Sequence, residues 1–238
     1  MNFWGHLGEL RMRIFYSLIA VAVAAAVAYF FRERIYDVLI YPLLRAEPDI
    51  KLNYLAPTEP FFVYLRIVLF AGLVLASPVV LLQLWAFIAP ALSKREKRVV
   101  LLSLPFIGML FGLGIGFVYF FLLPISLGFL LGIAHTALEP ELTQEKYFSF
   151  IVGLCLAGGL LFELPAVLGI LGWLDMVNAR WLWQRTGYAL LILMILAAII
   201  TPTGDAFNML ALTAPLMVLY AVSIVVVWLI QRRARKST

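Results

Sequence analysis

Long runs of apolar residues, separated by short polar segments, dominate this chain of 238 residues. A helix needs about twenty apolar residues to cross a hydrocarbon core of about 30 Å. The pattern predicts six membrane-spanning helices, of which the fifth is unusually short. Their predicted bounds are 14–31, 61–83, 100–123, 148–170, 187–200 and 206–230. We therefore expect an all-α integral membrane protein in which residues 1–238 form a single polytopic domain.

Composition supports this fold class and argues against several kinds of chemical site. Hydrophobic residues make up 64% of the chain and charged residues 13%, against about 25% charged residues in soluble domains. Cys155 is the single cysteine, so disulfide frameworks and CxxC redox chemistry are excluded, and we expect it to fill space in the core. No HExxH, Walker or GxSxG motif occurs, so we expect no metal, no cofactor and no enzymatic activity.

The basic residues indicate the orientation in the membrane. An even number of spans places both termini on one side, and the net charge of +5 belongs mainly to loops, which gives no sign of nucleic-acid binding. The loops on the opposite side hold five basic residues and nine of the thirteen acids. The positive-inside rule therefore predicts that both termini are cytoplasmic. Twelve basic residues lie on the side of the termini: Arg11, Arg13, Lys94, Arg95, Lys97, Arg98, Arg180, Arg185, Arg232, Arg233, Arg235 and Lys236.

The longest outer loop, residues 32–60, has its own periodicity. Apolar residues recur at helical spacing, which predicts a short amphipathic helix at the membrane surface. Pro42 is expected to bend or end this helix, and Thr58 before Glu59 and Pro60 is typical of the start of the second span. The predicted apolar face consists of Ile35, Val38, Leu39, Pro42 and Leu43.

Proline and helix length shape the spans themselves. Pro78, Pro105, Pro165 and Pro215 each remove one backbone hydrogen bond within a predicted span, so we expect kinked helices and a curved bundle with a concave face. The fifth span has thirteen apolar residues, about 20 Å of helix. A helix of that length would thin the bilayer locally.

Glu163 lies within an apolar stretch from Phe148 to Trp173. Ionisable groups in hydrocarbon are costly and mark functional sites. One interpretation is a protonated glutamic acid that is hydrogen-bonded to a neighbouring helix; others are a polar lining for a passing peptide or a proton relay. A proton-coupled secondary transporter would also require an internal repeat and a second intramembrane charge, and the sequence shows neither. A membrane-embedded enzyme is disfavoured because no nucleophile–base or metal set is present.

Two segments on the predicted cytoplasmic side combine acids with cations. Glu9 and Arg13 are spaced i, i+4, which is typical of an ion pair on a helix surface. In the second cytoplasmic loop, Glu96 lies among four basic residues, and Ser93 with Glu96 fits a capping box at the start of the next helix. These segments are either membrane anchors or a receptor for a cationic ligand.

In combination, the motifs resemble the TatC family of twin-arginine protein translocases. The resemblance runs nearly end to end, with the motifs in family order and on the expected sides. The segments that carry it are His6 and Leu7 with Glu9–Arg11, Pro57–Phe61, Ala76–Val79, Trp85–Leu92, Phe162–Pro165, and Thr201 and Pro202 with Asp205.

The resemblance implies a six-helix, glove-shaped protein of the cytoplasmic membrane that recognises folded exported proteins by their twin-arginine signal peptides. Such proteins use the proton-motive force and need no ATP. Glu9 and Glu96 would pair with the two signal arginines, with Phe87 nearby and Arg11 in the same N-terminal motif. Glu163 would lie on the concave face that receives the hydrophobic part of the signal.

The resemblance also implies partners in the membrane. Single-span subunits of the TatA and TatB type would dock near the fifth and sixth helices, and the protein would associate with itself in a multimeric receptor complex. Lipid would surround the spans. The expected docking residues are Thr201, Asp205, Asn208 and Met209.

Overall fold

The computed structural model describes residues 3–48, 50–88, 94–133, 142–200 and 206–236. These ranges form helices joined by short connections, and a π-helical segment, Val118–Leu122, links the fourth helix to the fifth. The helices are α1 (Phe3–Tyr29), α2 (Arg32–Ala46), α3 (Glu59–Ile88), α4 (Lys94–Phe117), α5 (Leu123–Ile133), α6 (Gln144–Phe162), α7 (Leu164–Trp173), α8 (Ala179–Gln184), α9 (Thr186–Ile200) and α10 (Ala206–Lys236).

The described helices confirm the all-α prediction, and the segment predicted as the fifth span forms a short apolar helix. Helix α9 has 15 residues and is shorter than the other apolar segments. The predicted bounds were too narrow in several places, because helices continue past the apolar run that defines the hydrocarbon-embedded part. Segments long and apolar enough to cross a membrane are Leu7–Tyr29, Glu59–Leu84, Ser103–Gly132, Gln144–Trp173 and Ala206–Arg232.

The third span continues beyond its predicted end. It was expected to end at residue 123, but helix α5 continues to Ile133. Pro124 lies in the first turn of α5, directly after the π-helical segment. A proline is tolerated in the first turn because the N–H that it lacks would have no partner within the helix.

Helix α2 continues through Pro42 to Ala46, so the proline does not end it. Proline has no N–H to donate to the carbonyl of Val38, four residues earlier. The hydroxyl of Tyr119 donates to that carbonyl at 2.5 Å, and the hydroxyl of Tyr147 donates to the carbonyl of Leu39 at 2.8 Å. Two tyrosines from other helices therefore satisfy carbonyls next to the proline.

The predicted apolar face of α2 is largely correct, with one exception. Leu39, Pro42 and Leu43 are buried, and Ile35 is half-buried. Val38 is 56% exposed, because it lies about 100° around the helix from Leu39, outside the stripe that packs against α3 and α5. One side of α2 therefore packs against protein, and the other side is exposed.

Contacts divide the chain into two compact units: Met1–Gly108 with Tyr119–Val152, and Met109–Val118 with Gly153–Thr238. In the first unit, α1 packs along α3, and α2 packs against α3 and α5. In the second unit, α10 packs against α7, α8 and α9. Cys155 of the second unit is 1% exposed, which agrees with its predicted role as core filler.

Glu59 connects two helix ends in the first unit. Its side chain is buried, and its two carboxylate oxygens accept the backbone N–H groups of Leu55 and Glu145, each at 2.8 Å. The guanidinium of Arg66 adds a bond to the carbonyl of Glu145 at 3.2 Å and another to the hydroxyl of Ser149. Since charge-assisted hydrogen bonds are the stronger ones, this network ties the start of α3 to the start of α6.

A close helix crossing organises the second unit. A Cβ placed on Gly114 of α4 would lie 2.5 Å from the carbonyl oxygen of Gly158 on α6 and 2.8 Å from Cβ of Phe162. Neither atom can move aside easily, because neither belongs to the flexible end of a side chain. Glycine at position 114 therefore sets how closely the two helices approach.

We expect Gly114→Ala to lower the free energy of unfolding by about 1–3 kcal/mol, because the added methyl group overpacks a backbone contact. Thermal unfolding of the detergent-solubilised protein measures this effect. Gly112→Ala is the matched control on the same helix, since no atom lies within 4 Å of its added Cβ. Equal melting temperatures for the two variants would contradict the close crossing.

Candidate functional site

The first candidate site lies where α1 and α3 run antiparallel. Two contacts set their register: a Cβ on Gly72 would meet the backbone of Ala25 at 2.7 Å, and Nη1 of Arg13 donates to Oε1 of Gln83 at 3.2 Å. Moving four residues toward the start of α1 corresponds to moving four residues toward the end of α3, because both helices rise 1.5 Å per residue.

That register places Glu9 opposite Phe87, which is half-buried near the end of α3. The predicted ion pair is confirmed: Nη2 of Arg13 lies 3.2 Å from Oε1 of Glu9. Because Arg13 also bonds Gln83, its guanidinium is fixed between two acceptors. The side chain of Glu9 is 20% exposed.

Only one oxygen of Glu9 is engaged in the part of the chain that the structure describes. Oε1 binds Arg13, whereas no described residue donates a hydrogen bond to Oε2. A carboxylate has about four acceptor positions. Glu9 is therefore held in place by one arginine and retains an oxygen that can bind another cationic group.

The other residues predicted for this site take different positions. Arg11 is exposed, and because it is two residues from Glu9 it points away from the Glu9 side of α1; the structure does not bring the two together. Glu96 lies in the first turn of α4, where its backbone alone is described. The predicted cap at Ser93 lies outside the described residues, which resume at Lys94 in α4.

Sequence reasoning missed Gln83 as part of this site. Gln83 and Phe87 are spaced i, i+4 on α3 and therefore share a face. The sequence did contain one sign that Gln83 belongs to a site, because it is a glutamine within an otherwise apolar helix end. Its partner, Arg13, is 70 residues away in the chain, so the contact depends on helix packing.

The second candidate site is Glu163, which interrupts the fourth span between α6 and α7. Pro165 follows in the first turn of α7, and the N–H of Glu163 makes a tight bond to the carbonyl of Leu160 at 3.2 Å. The predicted kink is thus a break at Glu163 itself. The helix reforms at once, since the N–H of Val167 bonds the carbonyl of Glu163 at 2.9 Å.

The carboxylate of Glu163 is buried without hydrogen bonds. The residue is 9% exposed, and neither oxygen has a hydrogen-bond partner of normal geometry among the described residues. Gly159, one turn earlier, packs against Phe111 of α4, so Glu163 faces the same helix. The structure therefore shows no hydrogen bond of normal geometry to this carboxylate from the described residues.

An apolar groove of about 320 Å³ lies in the second unit, and Glu163 is not among its lining residues. It lies between the two halves of the fourth span, α9 and α10, and its surface is almost entirely hydrocarbon. Its lining residues are Leu160, Leu161, Leu164, Val167, Leu168, Ala189, Ile192, Leu193 and Tyr220.

Two of the four predicted docking residues are described. Asn208, in the first turn of α10, is 2% exposed. Met209 is half-buried, and its carbonyl accepts the hydroxyl of Thr213 at 2.7 Å. Thr201 and Asp205 lie outside the described residues. Within the described ranges, no group of three or more His, Cys, Asp or Glu residues could hold a metal ion.

Comparison with known proteins identifies the family of this chain. The sequence profile of the family described as "TatC: Sec-independent protein translocase protein (TatC)" matches residues 5–215. This chain belongs to the TatC family. The TatC proteins of Koribacter versatilis and Aquifex aeolicus are 40% and 38% identical to it. These alignments cover 100% and 92% of this chain, and 89% and 91% of the two relatives.

A solved TatC structure has the same fold. The crystal structure described as that of the twin-arginine translocase receptor TatC superimposes with a TM-score of 0.83 at 37% sequence identity. The match covers 95% of this chain and 99% of the other. Family membership and apolar helices of membrane length together make this chain a membrane-embedded subunit of a protein translocase.

Proposed function

We propose that this chain is the receptor subunit of a twin-arginine translocase. It binds the twin-arginine signal peptides of folded precursor proteins and mediates their export, driven by the proton-motive force, together with partners of the TatA and TatB type. The observation that carries this proposal is Glu9, which Arg13 fixes opposite Phe87. One of its carboxylate oxygens accepts no hydrogen bond from the residues that the structure describes.

The chemistry of the site explains a preference for arginine. A planar guanidinium can bond a carboxylate through two parallel N–H groups, whereas a lysine ammonium is a point charge without that geometry. Glu9 receives one signal arginine at Oε2, and Glu96, in the first turn of α4, receives the other. Phe87 offers an apolar surface beside them, and Arg11 adds charge to the same motif without touching Glu9.

The hydrophobic part of the signal binds near Glu163. The apolar groove between the fourth span and α9 suits a hydrophobic segment. Glu163 lies on the same span, and its carboxylate, which has no hydrogen bond of normal geometry from the described residues, gains when a polar backbone group approaches. Binding energy in this region therefore comes both from apolar burial and from relief of an unpaired acid.

The positions of the basic residues support an orientation with both termini in the cytoplasm. The chain forms one polytopic domain in the cytoplasmic membrane. TatA and TatB dock where α9 meets α10, through Thr201, Asp205, Asn208 and Met209. The short α9 thins the bilayer there. Several copies of the chain associate in the receptor complex.

The experiment that tests this function compares two labelled signal peptides, Arg-Arg and Lys-Lys, on the purified protein in detergent without a gradient. We expect the Arg-Arg peptide to bind at least about tenfold more tightly, since one hydrogen bond to a charged group contributes about 1.5 kcal/mol. Equal binding would contradict the receptor function. Gradient-dependent flux of a small solute that Glu163→Gln abolishes would instead support the secondary transporter.

A further inference from the structure

Two arginines in the second unit lie over tryptophan rings. The guanidinium carbon of Arg185, at the end of α8, is 4.7 Å from the ring centre of Trp181. The guanidinium carbon of Arg232, near the end of α10, is 5.1 Å from the ring centre of Trp228. Such stacking uses the face of the guanidinium and leaves the N–H groups at its edge free. We call these four residues the arginine–tryptophan cluster.

Helix α10 holds α8 in place beside its own end. The side chain of Gln231 accepts the N–H of Ala179 at 3.3 Å and donates to the carbonyl of Val177 at 3.1 Å. The hydroxyl of Tyr220 donates to the carbonyl of Leu182 at 2.7 Å. These three hydrogen bonds fix α8 along the second half of α10, and Arg185 folds back one turn to reach Trp181.

The charge of the cluster is not compensated. Arg185 and Arg232 make no ion pair and no side-chain hydrogen bond to another residue within the described ranges, and the same holds for Arg180. Between residue 164 and the end of the chain there are two acids, Asp175 and Asp205, and Asp205 precedes α10 at its opposite end. Six cations lie in the region of the cluster: Arg180, Arg185, Arg232, Arg233, Arg235 and Lys236.

The cluster lies at the depth where lipid headgroups begin. The span of α10 that can cross a membrane ends at Arg232, and the ring of Trp183, next to the cluster, is 72% exposed. Exposed tryptophans are typical of the membrane interface, where one end of the ring contacts hydrocarbon and the other water. A ligand at this position must therefore present an anion at the surface and apolar chains below it.

We propose that the arginine–tryptophan cluster binds anionic phospholipids. The N–H groups of Arg185 and of Arg232 each hold a headgroup phosphate, and the exposed tryptophan rings contact the glycerol backbone and the upper acyl chains. An acidic peptide would match the charge but not the apolar surface around it. The lipid supplies the counter-charge that the protein lacks here, and it stabilises the position of α8 next to the short α9.

The test uses spin-labelled phosphatidylglycerol and phosphatidylcholine with the full-length protein in bilayer nanodiscs. We expect the protein to immobilise phosphatidylglycerol preferentially, and Arg185→Gln with Arg232→Gln to reduce that preference by about fivefold for each arginine. Arg185→Lys with Arg232→Lys keeps the charge but not the planar stack, so we expect an intermediate loss. Equal immobilisation of the two lipids by the parent protein would overturn the proposal.

Arg32→Gln is the matched control. Arg32 also stacks on an aromatic ring, with its guanidinium carbon 4.8 Å from the ring centre of Tyr29, but Glu33 compensates its charge at 3.5 Å. We expect this variant to keep the lipid preference of the parent. A double variant that melts like the parent and retains its full preference would overturn the proposal, since the cluster would then contribute nothing to lipid selection.

Discussion

Replacing Glu9 by glutamine is expected to weaken binding of an Arg-Arg signal peptide by about tenfold to a hundredfold, because hydrogen bonds to charged groups contribute about 1.5–3 kcal/mol. Glutamine keeps the size of the side chain but removes the charge that a guanidinium needs. Arg13 would then lie beside the incoming arginine without the carboxylate between them. Fluorescence anisotropy of the labelled peptide, titrated with the purified protein in detergent, measures the loss.

Glu33→Gln is the control for this prediction. Glu33 also pairs with an arginine, Arg32, at 3.5 Å, but its side chain is 77% exposed and lies after the end of α1. We expect its replacement to leave peptide affinity unchanged. Parent-like affinity in the Glu9 variant, or an equal loss in both variants, would show that Glu9 is only part of a surface ion pair.

Replacing Glu163 by leucine is expected to stabilise the isolated protein and to block export. Burial without a hydrogen bond destabilises a polar group by about 1–3 kcal/mol, and leucine of similar size removes that cost. The same change removes the polar contact that we propose for the signal. Two measurements check this: thermal unfolding in detergent, and export of a twin-arginine reporter by cells in which this chain replaces the resident TatC.

Glu59→Leu is the control, and we expect its effect on thermal stability to be opposite to that of Glu163→Leu. Both glutamates are buried, but the carboxylate of Glu59 accepts two backbone N–H groups, whereas that of Glu163 accepts none from the described residues. We expect Glu59→Leu to lower the melting temperature, because two donors lose their acceptor. If Glu163→Leu also lowered the melting temperature, its carboxylate would have a stabilising partner and our account of its energetics would be wrong.

Local patterns were sufficient to predict much of this fold. Apolar runs predicted the all-α architecture and the short α9, and the i, i+4 spacing of Glu9 and Arg13 predicted their ion pair. The break at Glu163 followed from Pro165, since a missing N–H acts on the neighbouring turn. Each of these features depends on residues close together in the chain.

Features that depend on distant residues were not predictable in the same way. Gln83 meets Arg13 across 70 residues, and Glu59 meets the N–H of Glu145 across 86. Periodicity alone also assigned Val38 to the buried face of α2. The structure shows that the tyrosine hydroxyls next to Pro42 and the packing on α3 and α5 determine which side of that helix is covered.

The most direct test of the central claim is a double-mutant cycle between receptor and peptide. The ratio of affinities for the Arg-Arg and Lys-Lys peptides is measured on the parent protein, on Glu9→Gln, on Glu96→Gln and on the variant with both changes. We predict a preference for Arg-Arg of at least about tenfold on the parent, a reduced preference in each single variant, and none in the double variant. An undiminished preference in the double variant would contradict recognition of the twin arginines by these two carboxylates.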